Sequence, residues 1–135
     1  MHAKFPSPEW VSELEQKLNS DEHYAKTAIK WEGDMLIVVE PTGNLTRRLY
    51  YYFDLWHGTC RKAAELPGPE GLKPAFILTA TYDNLVKIVT GQLNPMTAML
   101  TRKLEMHGNM AVMMRNVPTV LDFVRCCTEI TGEIL

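Results

Sequence analysis

The stretch from Gly91 to Met110, GQLNPMTAMLTRKLEMHGNM, identifies the fold class more clearly than any other part of the chain. Asn94 followed by Pro95 predicts a short helix, because asparagine caps a helix N-terminus and proline suits its first position. Residues 103–107 alternate between polar and apolar side chains and are predicted to form a strand. The Gly-Asn pair that follows predicts a turn into another helix. Helix, strand and helix in such close succession indicate a domain that mixes both element types.

Methionine is concentrated in this region. Six of the eight methionines lie between Met96 and Met114. Because methionine is unbranched and polarisable, it fills irregular gaps and repacks around guests of different shapes. Two interpretations stay open at this point: a loosely specified core, or the wall of an adaptable apolar binding site.

Length and composition indicate one globular domain over residues 1–135. The chain is 46% hydrophobic and 22% charged, which is ordinary for a folded protein. A chain of this size buries about two-thirds of its unfolded surface, enough for a core without disulfides or metals. The formal net charge of −2 provides no general attraction for nucleic acid, which is therefore not expected as a partner.

The sequence predicts a soluble, cytoplasmic protein. No apolar run approaches the ~20 residues that span a bilayer, so stable membrane insertion is not expected. The first ten residues lack the basic, apolar and small-residue regions of a signal peptide. The three cysteines are odd in number and two are adjacent, which fits free thiols in a reducing compartment. They are Cys60, Cys126 and Cys127.

Residues 1–30 are predicted to form an N-terminal helical segment. Ser7 and Pro8 have the capping and first-turn chemistry of a helix start. Asp21 is predicted to cap a short second helix over residues 22–27. One apolar stripe along the first helix consists of Trp10, Leu14 and Leu18.

Four strands are predicted between residues 35 and 81, at 35–40, 47–57, 59–66 and within 74–81. Gly58 marks a hairpin turn between the second and third of them. In the second strand, one row of side chains is apolar enough to face a core, and it contains Leu49, Tyr51, Phe53 and Leu55. The opposite row is amphipathic and is predicted to border solvent or another surface; it includes Tyr50, Tyr52 and Trp56.

The rest of the chain is predicted to be mainly helical. Asp83 opens a helix that presents Leu85 and Ile88 on one face. Pro118 interrupts a later helix, because it lacks an N–H and clashes with the preceding turn. Residues 118–135 then contain a C-terminal helix at 119–131, which presents Val120, Leu121, Val124 and Cys127. The elements together predict an α+β fold: a five-stranded, mostly antiparallel sheet with helices packed on one face.

The sequence contains no recognisable catalytic or metal-binding constellation. The four histidines are scattered and form no pair at the spacing of a zinc site. The carboxylates are dispersed, and solvated faces and helix caps explain them better than an acid–base pair. We therefore expect no enzymatic activity, no catalytic residue, no metal and no cofactor.

The region around residues 91–110 resembles the sterol carrier protein type 2 family, in its stand-alone, prokaryote-type form. The family pattern runs from a strand into a helix, then through Gly, Asn-Pro, a small residue, Lys-Leu and Gly-Asn into another helix. In this chain the pattern is carried by residues 76–85, Gly91, Asn94-Pro95, Ala98, Lys103-Leu104 and Gly108-Asn109. The resemblance is strong over residues 75–114, architectural over residues 31–66, and absent from the first thirty residues.

The resemblance implies an apolar tunnel between the sheet and its helices. Family members bind sterols, fatty acids, acyl-CoA or phospholipids without performing chemistry on them, so the implied function is binding and transfer of such a lipid. Carried over by position, the tunnel wall consists of Phe76, Leu78, Leu85, Ile88, Met96, Met99, Leu100, Leu104, Met106, Met110, Met113 and Met114.

Two further expectations concern the polar head group and the alternative function. Arg102 departs from the family pattern, which usually has a small residue, often glycine, at this place. Arg102, Lys103 and Asn109 are candidates by position to bind a head group. If the tunnel is collapsed, the alternative is a dimerisation or regulatory module, in which a homodimer uses the aromatic row of Tyr50, Tyr52 and Trp56.

Overall fold

The computed structural model describes residues 2–135 and has the predicted α+β architecture. The strands are β1 Ala3–Phe5, β2 Met35–Glu40, β3 Leu49–Trp56, β4 Thr59–Leu66, β5 Phe76–Thr81, β6 Glu105–His107 and β7 Thr131–Ile134. The helices are α1 Pro8–Ser20, α2 Glu22–Thr27, α3 Tyr82–Val89, α4 Pro95–Leu100, α5 Met110–Arg115 and α6 Val117–Ile130. None of the helices within residues 2–135 is long and apolar enough to cross a bilayer.

The main sheet has five strands in the order β4-β3-β2-β5-β6. Strands β2 and β5 run parallel, and the other three pairs are antiparallel. The predicted mostly antiparallel sheet is therefore confirmed, with one parallel pair at its centre. Strand β2 is buried from Met35 to Val39, since side chains on both faces of a central strand are covered by neighbours.

The first two helices begin as the sequence predicts. The Ser7 hydroxyl accepts a hydrogen bond from the Trp10 N–H at 3.0 Å, and Pro8 lies in the first turn of α1. The Asp21 carboxylate accepts a hydrogen bond from the Tyr24 N–H at 2.8 Å and so caps α2. The predicted stripe of α1 is buried against the sheet, at Trp10, Leu14 and Leu18.

Alternation along β3 places one row of side chains in the core. The predicted inward row is buried, at Leu49, Tyr51, Phe53 and Leu55. The Tyr51 ring stacks on Trp10 of α1 with centroids 5.9 Å apart. The Phe53 ring packs edge-on against Phe123 of α6 at 5.7 Å. The core therefore lies between the main sheet and α1 and α6.

A second, two-stranded sheet was not expected from the sequence. Strand β1 pairs in parallel with β7 at the other end of the chain, so residues 1–30 are not purely helical and the C-terminal helix gives way to a strand at Thr131. The Trp10 indole N–H donates to the Thr131 hydroxyl at 2.8 Å and holds the junction. Such short strands carry no readable periodicity, and their partner is far away in sequence.

The face of α6 differs from the predicted one. Pro118 lies in the first turn of α6, where a missing N–H costs no hydrogen bond. Its buried residues include Phe123, Cys126, Cys127 and Ile130. Of the four residues predicted to face inward, Cys127 is buried, and Val120 and Val124 pack at the edge of the core. The prediction for Leu121 is wrong, since 38% of its surface is exposed. The buried stripe follows Phe123, the largest side chain available to the core.

Candidate functional site

Helix α4 forms one wall of the candidate site and ends in a tight reversal. The Asn94 side-chain oxygen accepts hydrogen bonds from the Met96 and Thr97 N–H groups at 2.8 and 3.3 Å, as its predicted capping role requires. The Ala98 carbonyl then accepts the N–H groups of Lys103 and Leu104 at 2.8 and 3.1 Å. The chain therefore turns back beneath α4 and enters β6.

Strand β6 forms the edge of the main sheet and presents one apolar side chain inward. Met106 lies opposite Leu78 of β5, which belongs to the core. Glu105 and His107 lie opposite Thr79 and Ile77 and, by alternation, take the other face of the sheet. Met106 is thus the β6 side chain that points toward the helices.

Helix α5 forms the third wall of the candidate site. The Asn109 side-chain oxygen accepts the Val112 N–H at 3.1 Å and caps the helix. Gly108 precedes it at φ +142°, and a Cβ there would lie 2.5 Å from the Ala75 carbonyl oxygen. Only glycine permits this close approach of the turn to β5. Met113 is the α5 side chain that enters the core, with 1% of its surface exposed.

These three elements border an open cleft of about 360 Å³, which we call the methionine cleft. It is lined by Met99, Arg102, Leu104, Glu105, Met106, His107 and Met110. Leu104 also belongs to the core, while Met99 and Met106 pack against it. The floor of the methionine cleft is therefore continuous with the core beneath.

The structure divides the twelve predicted wall residues into three groups. Core positions are occupied by Phe76, Leu78, Leu85, Ile88, Leu104 and Met113. The methionine cleft brings together Met99, Met106 and Met110 with Leu104, whereas Met96 is half-buried on α4 and does not line it. Leu100 and Met114 do not line this cleft, and 84% and 55% of their surfaces are exposed.

The expected apolar stripe of α4 is therefore wrong at Leu100. The buried residues of this helix are Pro95 and Ala98, because α4 lies so close to the core that only a small side chain fits on its inner face. The larger side chains are displaced to its flanks, where Met96 and Met99 are half-buried.

Of the charged and polar residues on the rim of the methionine cleft, sequence reasoning named Arg102 but missed Glu105 and His107. Glu105 and His107 line it from β6, although alternation assigns their side chains to the other face of the sheet. Arg102 lines both this cleft and a second, more polar one of about 400 Å³ that includes Asn84 and Lys103. The position of Arg102 between them depends on the reversal after α4, which no periodicity reveals.

A cluster of charged groups elsewhere in the fold has a structural role. The Arg125 guanidinium donates to Asp21 at 2.6 Å and to Asp122 at 2.8 Å. Both carboxylates lie near the Cys126 sulfur, close enough for a shared metal ion, but the guanidinium already supplies the positive charge. Burial raises the pKa of the Cys126 thiol to about 12, so it stays protonated beside the two carboxylates at neutral pH.

The predicted aromatic row is partly occupied by contacts within the chain. The Tyr52 hydroxyl donates to Asp34 at 2.8 Å. The Trp56 ring stacks on His57 at 5.1 Å and has the Arg61 guanidinium 4.9 Å from its centroid. His57 in turn lies 2.6 Å from the Glu32 carboxylate. These contacts are those of a structured sheet surface.

Comparison with known proteins identifies the family. The model of the SCP-2 sterol transfer family matches residues 11–120. A crystal structure of sterol carrier protein 2 is 26% identical, with a TM-score of 0.84, covering 93% of this chain and 98% of that one. A conserved hypothetical protein from Thermus thermophilus is 27% identical, with a TM-score of 0.83, over 93% of this chain and 90% of its own.

A more distant likeness shows the same fold. Sterol carrier protein 2 from Aedes aegypti, solved in complex with palmitate, is 19% identical, with a TM-score of 0.55, over 87% of this chain and 93% of that one. Among curated protein sequences, none matches this chain significantly. The family model covers most of the chain, including the methionine cleft and the core beneath it, and the chain therefore belongs to the SCP-2 sterol transfer family.

Proposed function

We propose that this protein is a non-catalytic carrier that binds a long apolar ligand, such as a fatty acid or another single-chain lipid, through the methionine cleft. The observation that carries the proposal is the continuity of that cleft with the core, through Leu104, Met99 and Met106. A cleft of about 360 Å³ lies within the roughly 300–1,000 Å³ range of small-molecule sites.

The side chains of the methionine cleft suit an adaptable apolar ligand. Three of its seven lining residues are methionines, whose flexible thioethers repack around different chain lengths and bends. We infer that the ligand extends from this cleft toward Phe76, Leu78 and Met113, which belong to the same buried core as Leu104. The palmitate complex of the Aedes aegypti protein supports a single acyl chain as the ligand class for this fold.

Burial of methylene groups supplies enough free energy for this function. Each CH₂ removed from water contributes roughly 0.8 kcal/mol, so a sixteen-carbon chain offers about 12 kcal/mol before ordering costs. Those costs leave micromolar or tighter affinity within reach with few polar contacts. Catalytic groups are not required for any part of this process.

Native mass spectrometry of gently purified protein tests the ligand class, and a pair of variants tests the site. Met99→Trp fills the cleft. We expect it to weaken the binding of a fluorescent fatty acid by about tenfold or more, because the indole occupies space that the acyl chain needs. Met114→Trp is the matched control, since Met114 is exposed and lines no part of this cleft.

The outcomes are distinct. A bound mass of a few hundred daltons that extracts as lipid supports the carrier, as does loss of binding in Met99→Trp alone. An apo mass together with no uptake of the fluorescent fatty acid contradicts it. Equal loss in both tryptophan variants contradicts the location of the site.

A second candidate function is a dimerisation module. The observation that favours it is the half-buried pair Tyr50 and Tyr52 on the face of the sheet opposite the core, since aromatic residues are enriched at interfaces. This hypothesis expects a dimer in light scattering that Tyr50→Ala/Tyr52→Ala dissociates. A monomeric wild-type protein, or an unchanged dimer in the double variant, contradicts that interface.

A further inference from the structure

Arg102 has an unusual backbone conformation at the mouth of the methionine cleft. Its φ is +60°, in the left-handed region that is uncommon for residues other than glycine. Arg102 follows the C-cap of α4, a position where helices commonly end on a left-handed residue, usually glycine, and the Lys103 and Leu104 N–H groups return to the Ala98 carbonyl. A glycine would make this turn without strain, so the arginine side chain calls for an explanation in terms of what it contacts.

The Arg102 guanidinium has no carboxylate partner among residues 2–135, unlike most arginines of the chain. Arg47, Arg48, Arg61 and Arg125 each lie within ion-pair distance of a carboxylate. Arg102 and Arg115 do not. Of these two, Arg102 lines the methionine cleft, whereas Arg115 lines a separate depression on the far side of α5.

The surroundings of Arg102 place a positive charge beside an apolar wall. Met99 precedes it on α4, and Leu104 and Met106 follow it, all lining the same cleft. The acidic side chain that lines the cleft, Glu105, alternates with Met106 on β6 and forms no ion pair with Arg102 in the described part of the chain. An amphiphile that lays its chain along the methionines would therefore bring its head group to the guanidinium.

We propose that Arg102 binds the anionic head group, carboxylate or phosphate, of the lipid whose chain occupies the methionine cleft. The inference rests on the proposed carrier function and adds a head-group class to it. A guanidinium donates several hydrogen bonds to a planar carboxylate or to a phosphate in fixed geometry. It offers no comparable interaction to a neutral alcohol, so the protein discriminates between amphiphiles of equal chain length.

Titration calorimetry with three twelve-carbon amphiphiles tests this proposal: dodecanoate, dodecyl phosphate and dodecanol. The variant is Arg102→Gln, which keeps a long polar side chain in the same backbone conformation but removes the charge. We expect it to weaken the affinity for at least one of the two anions by about tenfold to a hundredfold, which is the range for loss of a hydrogen bond to a charged group. Dodecanol affinity should change less than about twofold. Arg115→Gln is the matched control and should alter none of them.

The results separate failure of this inference from failure of the carrier function. A larger loss for one anion identifies that head group as the natural one and supports the proposal. Equal weakening of anions and alcohol, or no change in any of them, overturns the role of Arg102 while leaving the carrier function intact. If the wild-type protein binds none of the three amphiphiles, the carrier function fails, and the Arg102 proposal fails with it.

Discussion

Gly58 and Gly91 have the same backbone φ of +82° but different surroundings. Gly58 lies in the β3–β4 hairpin, where an added Cβ would come within 2.5 Å of the Ala25 carbonyl oxygen on α2. At Gly91 the nearest atom to an added Cβ is a Thr128 methyl at 3.9 Å. The pair therefore separates backbone strain from steric conflict at the scale of single residues.

We predict that Gly91→Ala lowers the free energy of unfolding by about 1 kcal/mol, the cost of a left-handed alanine. Gly58→Ala should lower it by about 2 kcal/mol more, because α2 backbone must move to admit the methyl group. Urea denaturation of the two variants beside the wild type measures both changes. Equal losses would show that the hairpin moves away from α2 at no cost.

At the scale of elements, an ion network fastens α6 to the N-terminal helices. Arg125 of α6 pairs with Asp21 at the α1–α2 junction and with Glu129 on its own helix. Lys17 of α1 bridges Asp21 and Glu129 at 3.1 and 2.7 Å. Hydrogen bonding from Arg125 holds the pKa of Asp21 well below its usual range. Burial opposes ionisation of Asp122, but Arg125 and His23 still lower its pKa.

These lowered pKa values make stability pH-dependent with a definite sign. An aspartate whose pKa is lower in the folded state stabilises the fold fully above its unfolded pKa of about 4, and that stability is lost progressively as the pH falls from there through the folded pKa. We predict that Arg125→Met costs about 2–3 kcal/mol of unfolding free energy at pH 7, because Asp21 then keeps only Lys17 and Asp122 keeps only His23 as a partner. The cost should shrink markedly at pH 3.

Urea denaturation at pH 7 and pH 3 measures both quantities. Arg48→Met is the matched control: it removes an arginine–carboxylate pair with Glu40 on the sheet surface, and we expect a change near the error of the measurement at either pH. If the wild type and Arg125→Met lose stability in parallel between pH 7 and pH 3, the network does not couple folding to these carboxylates.

At the scale of the whole molecule, the two chain ends are joined to each other and to the core. The Leu135 N–H donates to the Phe5 carbonyl at 3.0 Å. The Leu135 carbonyl accepts hydrogen bonds from the Tyr82 hydroxyl at 2.7 Å and from the Asn44 amide at 3.2 Å. The methionine cleft lies instead at the β6 edge of the main sheet, between the short helices α4 and α5.

Most of the fold was predictable because its signals are local. The capping residues Ser7, Asp21 and Asn94 accept the hydrogen bonds their positions predicted, and the alternation of β3 selected the buried row correctly. These patterns depend only on residues within one or two turns of each other. The order of strands and the pairing of β1 with β7 depend on contacts between distant parts of the chain.

The candidate site was predictable only in part, and for a related reason. The methionine-rich stretch and the family resemblance located the region, and Met99, Met106 and Met110 line its cleft. The helix period suggested that Leu100 points inward, but the close approach of Ala98 to the core turns Leu100 outward. Helices of one or two turns have too few residues for their periodicity to define a face.

The sequence by itself determined the α+β class and the boundaries of the main helices and strands, because caps, turns and alternation are encoded in neighbouring residues. The family was indicated by a resemblance in the order of motifs from Gly91 to Asn109. Only the tertiary structure decided which methionines meet around one cleft and that a second sheet joins the chain ends. It also placed Arg102, which has no carboxylate partner among residues 2–135, beside an apolar wall. Those features arise where segments distant in sequence pack together, and the free energy of that packing depends on shape and burial that no local pattern records.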